Sequence, residues 1–184
     1  MIDIDKFLFL YQGIHGTLND HQRQGLTDLL GFIIQDAEII NIHWMAYMLA
    51  TTQHECAGTW QPIAEYGKGN DRPYGAPDPA TGHVYYGRGF VQLTHAENYK
   101  QMAKVTGLDL YNNPDQAMVP HVAYQIMSYG MRTGAFTGVG LLRYINDKQC
   151  DYRLARKIIN GLDCAEKIES YAKEFQSILE VCTA

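Results

Sequence analysis

Two glutamates ten positions apart bracket the part of this chain best equipped for chemistry. Glu55 lies in the run Gln53-His54-Glu55-Cys56-Ala57-Gly58-Thr59-Trp60, and Glu65 follows inside a loop rich in glycine, proline and aromatic residues. That loop ends in Tyr85-Tyr86-Gly87-Arg88-Gly89-Phe90-Val91-Gln92-Leu93-Thr94. Two carboxylates, aromatic rings and neutral hydrogen-bonding side chains are what cleavage of a sugar–sugar bond requires. One acid protonates the leaving oxygen, while a second carboxylate acts from the other face of the ring. Asp71 and Asp78 compete with Glu65 for the second role, although Asp78, set between Pro77 and Pro79, also suits a turn. His54-Glu55 does not begin a zinc-protease HExxH motif, because position 58 is Gly58. The other histidines show no ligand spacing, so neither a metal nor any other cofactor is expected.

The elements that must position these groups are mostly helical. Leu26, Leu29, Leu30 and Ile33 recur at helical spacing and predict a helix over 20–36. Ile42, Met45, Ala46, Leu49 and Thr52 predict another over 41–55, which places Glu55 at a helix end beside apolar neighbours. The helical period vanishes between Gly58 and Gly89, and a loop that long within a compact domain points to function. Ile63–Tyr66 and His83–Tyr86 could pair there as a small ribbon. Thr94 and Glu97 fit a capping box for a helix running to Thr106, a cap role that is compatible with the Thr94 hydroxyl also holding a water at a cleft edge. Asn113-Pro114 starts the next helix, Gly134–Gly140 interrupts it, and helices over 150–160 and 164–181 follow. The expectation is one catalytic domain over 1–184, mainly α with a small β ribbon, its cleft shaped by the loop 58–89.

Composition narrows the partners. Hydrophobic residues make up 46%, enough for a packed core. A net charge of −5 with no basic cluster argues against nucleic acid and anionic membrane as partners. The acidic start, with Asp3 and Asp5 before a short apolar run, does not read as a signal peptide, and no stretch reaches membrane-spanning length. Synthesis and folding in a cytoplasm are therefore expected, with Cys56, Cys150, Cys164 and Cys182 reduced.

Together these motifs resemble glycoside hydrolase family 19, the family of plant chitinases and many phage lysins. His54–Trp60 looks like the family's H-E-T-x-G-x-W signature, and Tyr85–Thr94 like Y-Y-G-R-G-x-x-Q-L-[ST]. Asn112-Asn113-Pro114-Asp115 and Ile158-Ile159-Asn160-Gly161 match two further landmarks. The resemblance implies a bilobed, lysozyme-like helical fold with a central substrate cleft and an inverting mechanism. It implies Glu55 as general acid, Glu65 as the acid that activates water, and Thr94 as the hydroxyl that positions it. It places Gln92, Asn98 and Asn160 on cleft positions that bind N-acetylated sugars, with His54, Tyr86 and Arg88 as further candidate contacts, although Arg88, set between two glycines, reads from the residues alone as a buried guanidinium paired with a carboxylate. There are departures: Glu97 stands where plant enzymes carry tyrosine, Asn160-Gly161-Leu162 replaces Asn-Gly-Gly, and the plant cysteine framework is not reproduced. A small acidic chain of this kind looks like a monomeric phage endolysin acting on peptidoglycan glycan strands. It would wait in the host cytoplasm and reach the periplasm and cell wall after release by a separate holin. A chitinase and a non-catalytic cell-wall-binding module are the alternatives.

Overall fold

The computed structural model describes residues 2–183. They form a mainly α-helical chain with two short antiparallel ribbons. The chain packs as two compact units, one formed by the segment up to Trp60 together with that from Gly130, the other by Gln61–Tyr129.

The first unit is built on α3 (Ile42–Glu55) and α7 (Ala165–Thr183). Asn41 starts α3 by accepting a hydrogen bond from the Trp44 backbone N–H. Trp44, Tyr47, Met48, Leu49 and Thr51 are all buried, so α3 hides far more than the expected stripe. A helix buried nearly all round is a core helix. Ile168, Ala172, Phe175, Ile178 and Leu179 form the buried face of α7, which packs on α3. Burying residues such as Leu49 and Phe175 stabilises the unit by about 1.5–3 kcal/mol each. Helix α2 (Asp20–Gln35) buries the predicted Leu26, Leu29, Leu30 and Ile33, and its start is closed by a capping box between Asn19 and Gln22.

Three features of this unit were not anticipated. Phe7–Tyr11 belongs to a full helix, α1 (Ile4–His15), capped by Asp3 and burying Phe7, Leu8 and Tyr11. A hairpin, Ile145–Asn146 against Gln149–Cys150, precedes the region expected to be helix over 150–160. That region is a single turn of helix, α6 (Tyr152–Ala155), continued as the 3-10 turn Arg156–Ile158.

The second unit holds the other ribbon. Ile63–Ala64 pairs with Arg88–Gly89, in the register Ile63 to Gly89 and Ala64 to Arg88. The predicted partner, His83–Tyr86, is displaced because Asp78 builds a turn just before it. Its Oδ1 accepts from the backbones of Ala80 and Thr81, and its own N–H donates to the His83 carbonyl. Gly89 sits at φ 95°, and a Cβ there would lie 3.2 Å from the Ala117 carbonyl oxygen, so only glycine fits. Helix α4 (Ala96–Thr106) follows, then a 3-10 turn at Pro114–Met118 in place of the predicted helix start. Helix α5 (Pro120–Thr133) completes the segment.

Among the described residues no helix is long and apolar enough to cross a membrane. All four cysteines stand as free thiols, with Cys56 and Cys182 buried.

Candidate functional site

Each unit presents one of the two glutamates, in different surroundings. Glu55 is the last residue of α3. Its Oε1 accepts a hydrogen bond of 2.6 Å from Arg156 Nη1. Arg156 is only 2% exposed, and its Nε donates to the Asp163 carbonyl at 2.9 Å. The apolar setting expected for Glu55 is therefore corrected: a buried guanidinium, fixed from its other side by backbone, holds the carboxylate in place. Such a charge-assisted bond is short and directional. Sequence reading missed Arg156, although it lies two residues before the Ile158–Gly161 landmark.

Besides Arg156, three side chains near Glu55 are held towards their neutral forms. Burial lowers the pKa of the His54 imidazole, with the Glu55 carboxylate opposing, so the ring tends to stay uncharged. Burial also pushes the Tyr47 hydroxyl and the Cys56 thiol well above their ordinary values, which leaves Cys56 a small packed hydrophobe and not a nucleophile. Asn160 is exposed in the same unit, and its side-chain oxygen accepts from the Gly161 backbone.

In the second unit both oxygens of Glu65 are anchored. Oε1 accepts from the Tyr74 hydroxyl at 3.0 Å, and Oε2 from the Gly87 N–H at 3.1 Å. The backbone adds a third tie, from Glu65 N–H to the Gly87 carbonyl at 2.7 Å. Burial raises the Tyr74 pKa and the bond to Glu65 adds to it, so the phenol acts as donor. A carboxylate offers about four lone-pair sites, and two remain open for a water's proton. Asp78 is committed to its turn through Oδ1, which also accepts from the Tyr111 hydroxyl, and Asp71 stands exposed at φ 60°.

Thr94 does not cap α4. His95 occupies that position at φ 70° without a side-chain cap bond, and the Thr94 hydroxyl donates to the Gln92 carbonyl at 2.9 Å. With its proton committed, the oxygen keeps lone pairs that can accept from a water. Asn98 donates to the Thr94 carbonyl at 2.8 Å. Gln92 Nε2 donates to the Ile63 carbonyl at 3.0 Å, so this side chain braces the ribbon.

Arg88 is the buried, carboxylate-paired guanidinium that its place between two glycines predicts, and neither it nor Tyr86 is turned outward as the sugar contact also expected of them. The Arg88 residue is 4% exposed, and Nε donates to Asp115 at 2.8 Å while Nη1 reaches the Val84 and Tyr86 carbonyls and the Tyr99 hydroxyl. Its guanidinium also lies 3.6 Å from the Tyr86 ring centroid. A buried guanidinium tied to that many acceptors is a strut that shapes the ribbon beneath Glu65, not a free donor.

The family model described as chitinase class I, Glyco_hydro_19, matches residues 29–131. The chain belongs to glycoside hydrolase family 19. The family 19 segment includes Glu55, Glu65 and Thr94 and ends before Arg156 and Asn160. Among curated relatives, a basic endochitinase of Vitis vinifera is 38% identical over 85 residues, covering 39% of this chain and 27% of the relative. Chitinase 3 of Oryza sativa subsp. japonica is 39% identical over 87 residues with the same coverage. The matched region thus spans 27% of the length of these relatives. The fold resembles that of chitinase C from Streptomyces griseus HUT6037, with TM-score 0.62 at 22% identity over 97% of this chain and 76% of that one. The class IV family 19 chitinase of Zea mays gives TM-score 0.53 at 16% identity, over 89% and 82% of the two chains.

The Thr94 geometry yields a prediction. Thr94→Val removes one hydrogen bond to the Gln92 carbonyl, a loss of about 0.5–1.5 kcal/mol in stability. If the hydroxyl also steadies the attacking water, turnover per folded molecule falls by up to about tenfold as well. Activity normalised to the folded fraction, measured by circular dichroism, checks this. A normalised rate equal to the parent's would reduce Thr94 to a structural residue.

Proposed function

We propose that this chain hydrolyses β-1,4 bonds between N-acetylated sugars by an inverting, two-carboxylate mechanism. The observation that carries the reading is the contrast between the two glutamates. Glu55 is held in one orientation by Arg156, at the end of a rigid core helix, as a proton donor to a leaving oxygen must be held. Glu65 is anchored by Tyr74 and Gly87 with lone pairs to spare, as a base that draws a proton from water must be. Thr94 Oγ would accept the water's other hydrogen. Asn98 and Asn160 would meet the sugars' acetamido and hydroxyl groups, with His54 beside Glu55.

Within that activity we favour peptidoglycan as substrate and a phage endolysin as the biological role. Murein and chitin share the β-1,4-linked N-acetylglucosamine scaffold, and free thiols in place of the plant cysteine framework fit a protein made in a host cytoplasm and released through a holin. Chitin is the second reading, favoured by the names of the curated relatives. Digestion of purified murein, followed by mass analysis of the products, tests the choice. New reducing-end N-acetylmuramic acid marks a muramidase. Cleavage of chitooligosaccharides with intact murein would replace the endolysin by a chitinase. Binding without cleavage of either would leave a non-catalytic wall-binding module. NMR of the first product should show the α anomer, and a β anomer would overturn inversion.

A further inference from the structure

Tyr66 follows Glu65 directly and is 91% exposed. Its side chain makes no hydrogen bond, ion pair or ring contact with any described residue. A single exposed aromatic is unremarkable in itself; Phe9, on α1, is 75% exposed. What distinguishes Tyr66 is the backbone that carries it. The chain from Glu65 to Gly75 is folded back on itself through successive bonds from Lys68 N–H to the Glu65 carbonyl, Asn70 to Gly67, Arg72 to Gly69 and Gly75 to Arg72. Gly69 and Gly75 touch backbone to backbone, and a Cβ on Gly75 would overlap the Gly69 carbonyl oxygen, so this closure tolerates no side chain there. The Tyr74 hydroxyl bonded to Glu65 then locks the loop onto the carboxylate. Tyr66 sits at the first corner of the turn from Glu65 to Lys68, an outward-facing position.

A large ring is thus presented to solvent on a pre-ordered loop, next to an anchored carboxylate. Apolar area left uncovered on rigid backbone favours a ligand that can cover it without an ordering cost. The C–H face of a pyranose has the matching size and chemistry, and the phenol edge can still meet a sugar hydroxyl. We propose that Tyr66 is a stacking platform for the sugar ring held beside Glu65, setting affinity for the polymer without taking part in bond cleavage. This rests on reading Glu65 as the water-activating carboxylate of a sugar hydrolase.

The test compares Tyr66→Ala, Tyr66→Phe and Tyr66→Trp in the full chain, with a soluble chitooligosaccharide as probe. KM should rise roughly three- to tenfold in the alanine variant, the loss of one ring contact, with kcat nearly unchanged. Phenylalanine and tryptophan should restore KM, and the melting temperature should not move in any variant. An unchanged KM for Tyr66→Ala overturns the platform, as does a fall in kcat at constant KM or equal damage from alanine and phenylalanine. Glu65→Gln separates this result from the functional reading. Loss of turnover there with a silent Tyr66→Ala removes the platform alone. Full turnover in Glu65→Gln with raised KM in Tyr66→Ala removes the role of Glu65 and keeps the ring as a sugar contact. A parent protein that neither binds nor cleaves this probe or soluble murein fragments overturns both.

Discussion

Glu55→Gln is expected to lower hydrolysis by about 10²–10⁴-fold or more, the range of a positioned general acid. Glutamine has nearly the size and shape of glutamate, and its amide oxygen can still accept from Arg156 Nη1, so the local geometry should survive. What disappears is the transferable proton. The leaving sugar must then depart as an alkoxide or draw a proton from solvent, and neither titratable side chain adjoining Glu55 in sequence offers a ready substitute. Cys56 is fully buried with its thiol pKa raised by burial, and His54 is held towards its neutral form. Initial rates on murein and on a chitooligosaccharide, with a melting curve to confirm folding, measure the effect. A Glu55→Gln protein that cleaves either substrate at close to the parent rate would remove Glu55 from the mechanism.

The parts of this molecule legible in sequence were those written in local periodicity. The Leu26–Ile33 stripe and the extent of α3 follow from side chains three and four apart, and the structure places them within a residue or two of the reading. Motifs were legible too, since both glutamates lie in or beside runs long enough to mark a family. What local patterns hid were partners far apart in the chain. Arg156 meets Glu55 across 101 positions, and Asp115 meets Arg88 across 27. The Thr94–Glu97 pattern failed for a local reason of another kind. It satisfies a capping box on paper, yet His95 adopts a left-handed φ of 70°, which shifts the helix start by one residue, and Glu97 pairs with Lys100 instead. The ribbon partner was misplaced because Tyr85 and Tyr86 have strand-like chemistry, whereas their rings serve packing. Tyr85 stacks on Tyr111 with centroids 5.4 Å apart, and Tyr86 lies against Arg88.

The Arg156–Glu55 pair should dominate the stability of the first unit's site. Arg156→Met keeps much of the apolar stem but removes the charge, leaving the Glu55 carboxylate, with 16% of its side chain exposed, without its cation. Breaking a buried pair from one side typically costs about 3–5 kcal/mol, because the remaining charge is stranded in a poor solvent. The same substitution made in a Glu55→Gln background should cost distinctly less, since a neutral amide needs no counter-charge. The double-mutant cycle from urea denaturation should therefore show a coupling of about 0.5–3 kcal/mol. Arg156→Lys refines the point. The guanidinium uses Nε for the Asp163 carbonyl and Nη1 for Glu55, two directions at once, and a single ammonium cannot reproduce that fork. Lysine should recover much of the stability while leaving Glu55 poorly aimed, so hydrolysis stays well below the parent's at equal folded fraction. Equal cost of Arg156→Met in both backgrounds would show that the arginine stabilises by packing alone. Full activity in Arg156→Lys would show that Glu55 needs a nearby positive charge and no fixed orientation.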